Sequence, residues 1–265
     1  MNQIHQAIKH THELDFLANR NLTMNRLHPL SKLLSILVYI IFVLSFSKYD
    51  VTGILSMAIY VIVLFQISDL SMVNCLYQSR YILFLLSMIG IINLYFDQTI
   101  ILYVENIPIS GGCLSFFVLL FKQIFCLESV YFLIATTSME EICCALSQLH
   151  IPKILVTTIL LIYRYIVLLL QEVNRISIAY HLRAPFHKGI QYQSWGSLVG
   201  QLLLRSMDRS LRVYDSMLLR GFNGKFNYDV NDSKRIGSVF LFICTIFYCI
   251  LCRIFPLFEW VGRMF

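Results

Sequence analysis

Apolar residues in this chain fall in blocks of roughly 15 to 25, separated by short polar segments, the length a helix needs to cross ~30 Å of hydrocarbon. That spacing makes the bilayer the solvent. Charged residues make up only 14% of the sequence, against about 25% in soluble domains. The chain is 58% apolar with a mean hydropathy of +0.70. The expected fold class is all-α: an integral membrane bundle of about five spans, with a domain of long amphipathic helices outside the bilayer.

The first block follows about 30 polar residues that contain His5, His10, His12, Glu13 and Asp15, so no cleavable signal peptide is expected at the start. Spans are expected at 32–46, 51–67, 81–96, 115–138 and 236–255, with a loop from Asp97 through Pro108 and Gly111-Gly112 before the fourth. The eight cysteines have neither disulfide nor zinc spacing and read as small packing residues. Cys249-x-x-Cys252 is one turn of a membrane helix.

The apolar run Ile151–Leu170 is long enough to cross, and charge decides its placement. With a cytoplasmic N-terminus and no crossing here, the inner face receives Lys9, Arg20, Arg26, Lys32, Arg80 and the twelve basic residues of 139–235, or 17 of 21. That obeys the positive-inside rule. Crossing would put either the arginine-rich stretch or the N-terminus on the wrong face. Arg164 and Pro152-Lys153 also suit a helix at the membrane surface. The expected division is a cytoplasmic segment 1–31, spans 32–138, a cytoplasmic domain 139–235 and a last span 236–265.

Within 139–235 a helix is expected from Ile151 to about Arg183, stopped by Pro185, and a second over about Ser194 to Arg220. Leu203, Met207, Ser210, Tyr214 and Met217 share one face of the second, and Arg205, Arg209 and Arg212 line another. No phosphate-cradling G-x-x-x-x-G-K-[ST] or G-x-G-x-x-G, no G-x-S-x-G elbow and no H-E-x-x-H helix is present. Nucleotide hydrolysis therefore belongs to another polypeptide, and no catalytic or metal-binding residue, cofactor or nucleic-acid partner is expected.

Leu182-Arg183-Ala184 before Pro185, and Leu219-Arg220-Gly221 before Phe222, both stand at helix ends. Proline pushes its predecessor out of the α region, and Gly221 supplies the left-handed residue that closes a helix. Each arginine thus tips a rigid rod with a forked donor suited to a carboxylate. The plainer alternative is that both stabilise their own termini or bind anionic lipid headgroups.

The stretch 136–222 resembles the T component of energy-coupling factor (ECF) transporters. The resemblance rests on Thr136-Thr137-Ser138, Glu140-Glu141, Ala145-Leu146, Leu149, Ile151-Pro152, Tyr163-Arg164-Tyr165, Glu172 and Arg183-Ala184. It resumes with Arg205-Ser206, Arg209, Tyr214, Met217 and Arg220-Gly221-Phe222. Leu14-Asp15-Phe16-Leu17-Ala18-Asn19, Leu27-His28-Pro29 and Lys32-Leu33-Leu34 are similar to its cobalt-type branch. Membership implies a plasma-membrane scaffold without enzymatic activity. It would couple two ATP-binding cassette ATPases, which bind the ATP and magnesium, to a substrate-binding membrane S component. Arg183-Ala184 and Arg220-Gly221 would dock on the ATPases. Leucine replaces the family's leading alanine in both motifs, and Ala184 replaces the first glycine. The branch implies cobalt or another transition metal as cargo, with vitamin uptake as the alternative.

A self-contained secondary transporter would show repeated halves and broken helices at mid-membrane, and neither is visible. A lipid-surface anchor is the third reading. Lys122 and Glu128 fall inside the fourth span, with Lys122 in reach of snorkelling or of Asp97. His5, His10, His12 and Glu13 are metal-capable, yet a solvated segment accounts for them.

Overall fold

The computed structural model describes residues 16–18, 24–25, 27–96, 100–104, 107–185, 189–224 and 235–254. It divides into two units, Ala18–Ser138 with Asn231–Phe265, and Met139–Val230 with Met1–Leu17.

The first unit is built from α1 (Pro29–Ser45), α2 (Val51–Ile67), α3 (Met72–Phe96), β1 (Ile100–Val104), β2 (Ile107–Ser110), α4 (Gly111–Thr136) and α8 (Arg235–Ile254). Proline opens α1, where its missing N–H costs nothing, and the Leu30 N–H donates to Nδ1 of His28, the capping residue, at 3.3 Å. Helix α4 packs against α1, α2 and α3, while α8 packs against α1 and α2. The core between them holds Tyr39, Val43, Ile54, Met57, Phe65, Val118, Phe132 and Cys249. Tyr39, Tyr60 and Tyr248 stack through it, with centroids 4.7 and 5.8 Å apart. Their hydroxyls are all engaged: Tyr39 donates to the Met57 carbonyl, Tyr60 bonds Thr245 Oγ1 and Tyr248 donates to the Ser56 carbonyl. A tyrosine in an apolar core needs such partners, because a buried hydroxyl left unmade is costly.

The outward face of this unit is apolar. Tyr81, Phe84, Leu85, Met88, Ile91 and Ile92 of α3 are all exposed, an arrangement that suits lipid or an apolar partner and not water. Four helices are long and apolar enough to cross a membrane, over Met72–Ile92, Gly111–Thr136, Lys153–Arg183 and Gly237–Ile254. Helices α1 and α2 are shorter, at 17 residues each. The protein is a multi-pass membrane protein of the plasma membrane.

The third span begins earlier than the expected residue 81, because Met72 to Arg80 continues the same helix. The segment expected as a plain loop before α4 carries an antiparallel pair of strands, with Val104 opposite Ile107. β-Branched residues at 100, 101, 104, 107 and 109 favour extended backbone. Apart from this hairpin, every regular element among the described residues is a helix, as the all-α expectation has it.

Two cations close the end of α1. Lys122 Nζ of α4 donates to the Phe46 and Leu44 carbonyls at 2.6 and 3.3 Å. Arg253 of α8 donates to the Ser45 carbonyl at 3.4 Å and lies 5.0 Å over the Phe46 ring. These are the orphan carbonyls that every helix leaves at its C-terminus, and positive charge suits them twice, as donor and against the dipole. This is the structural role of Lys122; Asp97, its other expected partner, lies outside the described residues.

The second unit contains α5 (Met139–Gln148), α6 (Lys153–Arg183) and α7 (Tyr192–Leu219). Glu140 and Glu141 occupy the first turn of α5, where the dipole favours them. Helix α6 runs 31 residues without a break, joining the apolar run Ile151–Leu170 to the polar stretch beyond it. Length and composition alone would let α6 cross a bilayer, and only the distribution of charge opposes it.

Candidate functional site

The two arginine motifs stand where the local chemistry of the chain puts them. Helix α6 ends at Arg183, and Ala184 leaves the helical region at φ −128° and ψ 64°, as a residue before proline must. Helix α7 ends at Leu219, with Arg220 as its cap and Gly221 at φ +79°. The Gly221 N–H donates to the Leu218 carbonyl at 2.9 Å and the Phe222 N–H to the Met217 carbonyl at 3.0 Å. That pair of bonds is a Schellman motif, which fixes the direction in which the chain leaves the helix. Arg183 and Arg220 are both exposed, and neither makes an ion pair among the described residues. Their guanidinium groups are open to a partner.

Glu172 ties α6 to α7. Its carboxylate accepts a short hydrogen bond from Arg205 and lies 3.7 Å from Arg175 and 4.0 Å from Arg209. The glutamate is buried, with its side chain 10% exposed, while the three arginines are open to solvent by 73, 57 and 36% for Arg175, Arg205 and Arg209. Arg205 and Arg209 are four residues apart and share a face of α7, so both reach one carboxylate. Glu172 lies beyond the apolar run of α6, and the Arg205 guanidinium, with Arg175 and Arg209, holds its carboxyl below the usual range. Arg212, expected on the same face, is exposed and has no ion pair among the described residues. Arg175 belongs to the cluster although it was not singled out. The signal was its i, i+3 spacing from Glu172.

Beside this clamp runs a groove of about 760 Å³ between α6 and α7. Leu161, Tyr165 and Leu169 of α6 recur every four residues along one wall, and Tyr214, Met217 and Phe222 form part of the other. Tyr214 is thus a wall residue, together with Ser210 and Met217 from the face expected to be continuous. Leu203 and Met207 from that face do not line the groove, and both are exposed, as Tyr214 is. No residue of α7 is buried.

The other candidates resolve differently. Glu128 is buried in α4, and Cys249 and Cys252 are buried free thiols. His5, His10, His12 and Glu13 lie outside the described residues. Among the described residues no three His, Cys, Asp or Glu side chains converge as a metal site would need.

The chain matches the family model of CbiQ, a cobalt transport protein, over residues 21–229. It is 30% identical over 122 residues to an uncharacterized protein of Methanocaldococcus jannaschii, covering 45% of this chain and 46% of that one. It is 32% identical over 91 residues to the nickel permease LarQ of Lactiplantibacillus plantarum, covering 34% and 33%. A second uncharacterized M. jannaschii protein is 26% identical over 133 residues, covering 49% and 45%. The matched part spans less than half the length of each of these relatives.

Proposed function

This chain belongs to the CbiQ family of cobalt transport proteins, and from that premise we propose that it is the energy-coupling T component of an ECF-type importer. In this reading two ATP-binding cassette ATPases dock on the tips at Arg183-Ala184 and Arg220-Gly221. A substrate-binding membrane S component rests on the apolar residues of α6 and α7. The observation that carries the proposal is the pair of long helices, each ending in an exposed arginine and locked together by Glu172.

Transmission of force requires stiffness. Helix α6 has 31 residues, roughly 46 Å at 1.5 Å each, and the Glu172–Arg205 pair keeps it from sliding freely on α7. Closure of two ATPases on ATP would displace both tips, and rigid rods would carry that displacement to whatever sits on their apolar faces. ATP and magnesium are bound by the partners in this arrangement, and the chain itself catalyses nothing. An arginine buried in a groove without a carboxylate is strongly unfavourable, so the receiving grooves must be acidic.

The placement 1–31 and 139–235 inside, with spans in 32–138 and 236–265, follows from the charge distribution, and it keeps α6 on the cytoplasmic surface. The cargo is a transition-metal ion. Relatives named for cobalt and nickel support that class. The test is co-purification: Arg183→Ala with Arg220→Ala loses both ATPases while the chain still inserts in the membrane. Recovery of both ATPases at native yield with this double variant would overturn the proposal.

A further inference from the structure

Leucine precedes the arginine at both tips, and both leucines project into solvent, Leu182 at 78% and Leu219 at 90% exposure. The apolar surface of the groove does not account for them. Leu182 lies thirteen residues past Leu169, roughly 20 Å further along the helix, and neither leucine is among the groove's walls. Helix closure does not account for them either. The apolar contact that accompanies a Schellman cap joins the residues at C″ and C3, which here are Phe222 and Met217, both on the groove wall. The end of α6 is held by the backbone bond from Ala184 to Tyr180.

We propose that Leu182-Arg183 and Leu219-Arg220 act as two-part plugs, in which the leucine fills an apolar pocket beside the carboxylate that receives the arginine. The inference rests on the docking reading above and names the surface the ATPases must present. Charge complementarity sets one half of that surface, since each exposed guanidinium has no ion pair among the described residues. The neighbouring leucine sets the other half. The small residues that follow, Ala184 and Gly221, leave room for a close approach, and a Cβ placed on Gly221 would meet nothing within 4 Å. Because both tips carry the same dipeptide, both ATPases must offer a pocket of the same kind.

The two halves respond differently to salt. An ionic contact is screened as ionic strength rises, whereas burial of leucine is not weakened by it. The tagged full-length protein is purified from native membranes through washes of increasing salt, and the retained ATPases are quantified. Leu182→Ala with Leu219→Ala should weaken ATPase retention by about tenfold per tip, with release at lower salt than the parent. Leu182→Met with Leu219→Met, which keeps the apolar volume, should restore it. Both leucines are exposed, so unchanged thermal unfolding of the isolated variants separates docking from folding. Parent-like retention by the alanine pair at every salt concentration, in a preparation where Arg183→Ala with Arg220→Ala loses the ATPases, overturns this inference and leaves docking standing. Parent-like retention by the arginine pair removes the docking reading itself.

Discussion

Lys32 Nζ, in the first turns of α1, donates to the Thr136 carbonyl at the end of α4 at 2.8 Å. The lysine is 1% exposed and also reaches the Asn25 carbonyl at 3.2 Å. Lys122 of α4 returns the favour at the other end of α1. Each of these two helices therefore supplies the cation that closes its neighbour's C-terminus, a reciprocal use of the helix dipole.

Lys32→Met should accordingly destabilise the bundle by about 1–3 kcal/mol, since it leaves buried carbonyls without their charged donor. Thermal unfolding in detergent reads this as a lowered midpoint. An unchanged midpoint would mean that the ammonium contributes nothing net.

Gly53→Ala should cost about 1–3 kcal/mol by overpacking. A Cβ at Gly53 would stand 2.5 Å from the Phe46 ring, and that ring is held under Arg253. Paired with Phe46→Leu the loss should shrink, and the same thermal assay measures the coupling.

Gly221→Ala tests the geometry of the second tip. The space around Gly221 is open, so the cost is backbone strain at φ +79°, about 1–2 kcal/mol. Retention of the proposed ATPase partners should fall although Arg220 is intact, and Gly221→Asn, which tolerates that conformation, should recover most of it. Equal retention by alanine and asparagine would show that the cap does not aim the arginine.

Glu172→Gln should loosen α6 from α7 while leaving the membrane bundle folded. A cysteine cross-link between the two helices would form less selectively, and coupled transport would fall. The pH dependence has a definite sign: the carboxyl is held below its ordinary value, so the clamp is fully present above the unfolded-state pKa. It is lost only as pH falls through the lowered folded-state value. Mild acidification that protonates an ordinary glutamate should leave the cross-link pattern unchanged.

Single cysteines placed at 183 and 220 should react with a membrane-impermeant maleimide in inverted vesicles and not in right-side-out ones. The reverse pattern would mean that α6 crosses the bilayer and the tips face outwards.

The helix ends were legible in the sequence because they rest on local rules. Ala184 before a proline and Gly221 after an apolar turn act on their own backbone, and no distant residue overrides them. The clamp was half legible. Glu172, Arg205 and Arg209 stand in the sequence as helix-face residues, but that they converge depends on how α6 crosses α7, which periodicity does not encode. Lys32 and Lys122 were harder still. A lysine near a span end reads as an interfacial anchor, and only tertiary packing reveals that its target is another helix's carbonyl. The hairpin at 100–110 hid inside a segment read as loop, where hydrophobic β-branched residues compete with turn-formers over too short a stretch to decide.

Helices α1 and α2 reach roughly 25 Å each at 1.5 Å per residue, short of the ~30 Å of hydrocarbon they face. Where both cross, thinning of the leaflets beside them by about 5 Å closes the gap, at a cost of fractions of a kcal/mol per Å. Beside α1 and α2 the hydrocarbon barrier is then thinner than beside the longer helices α3 and α4.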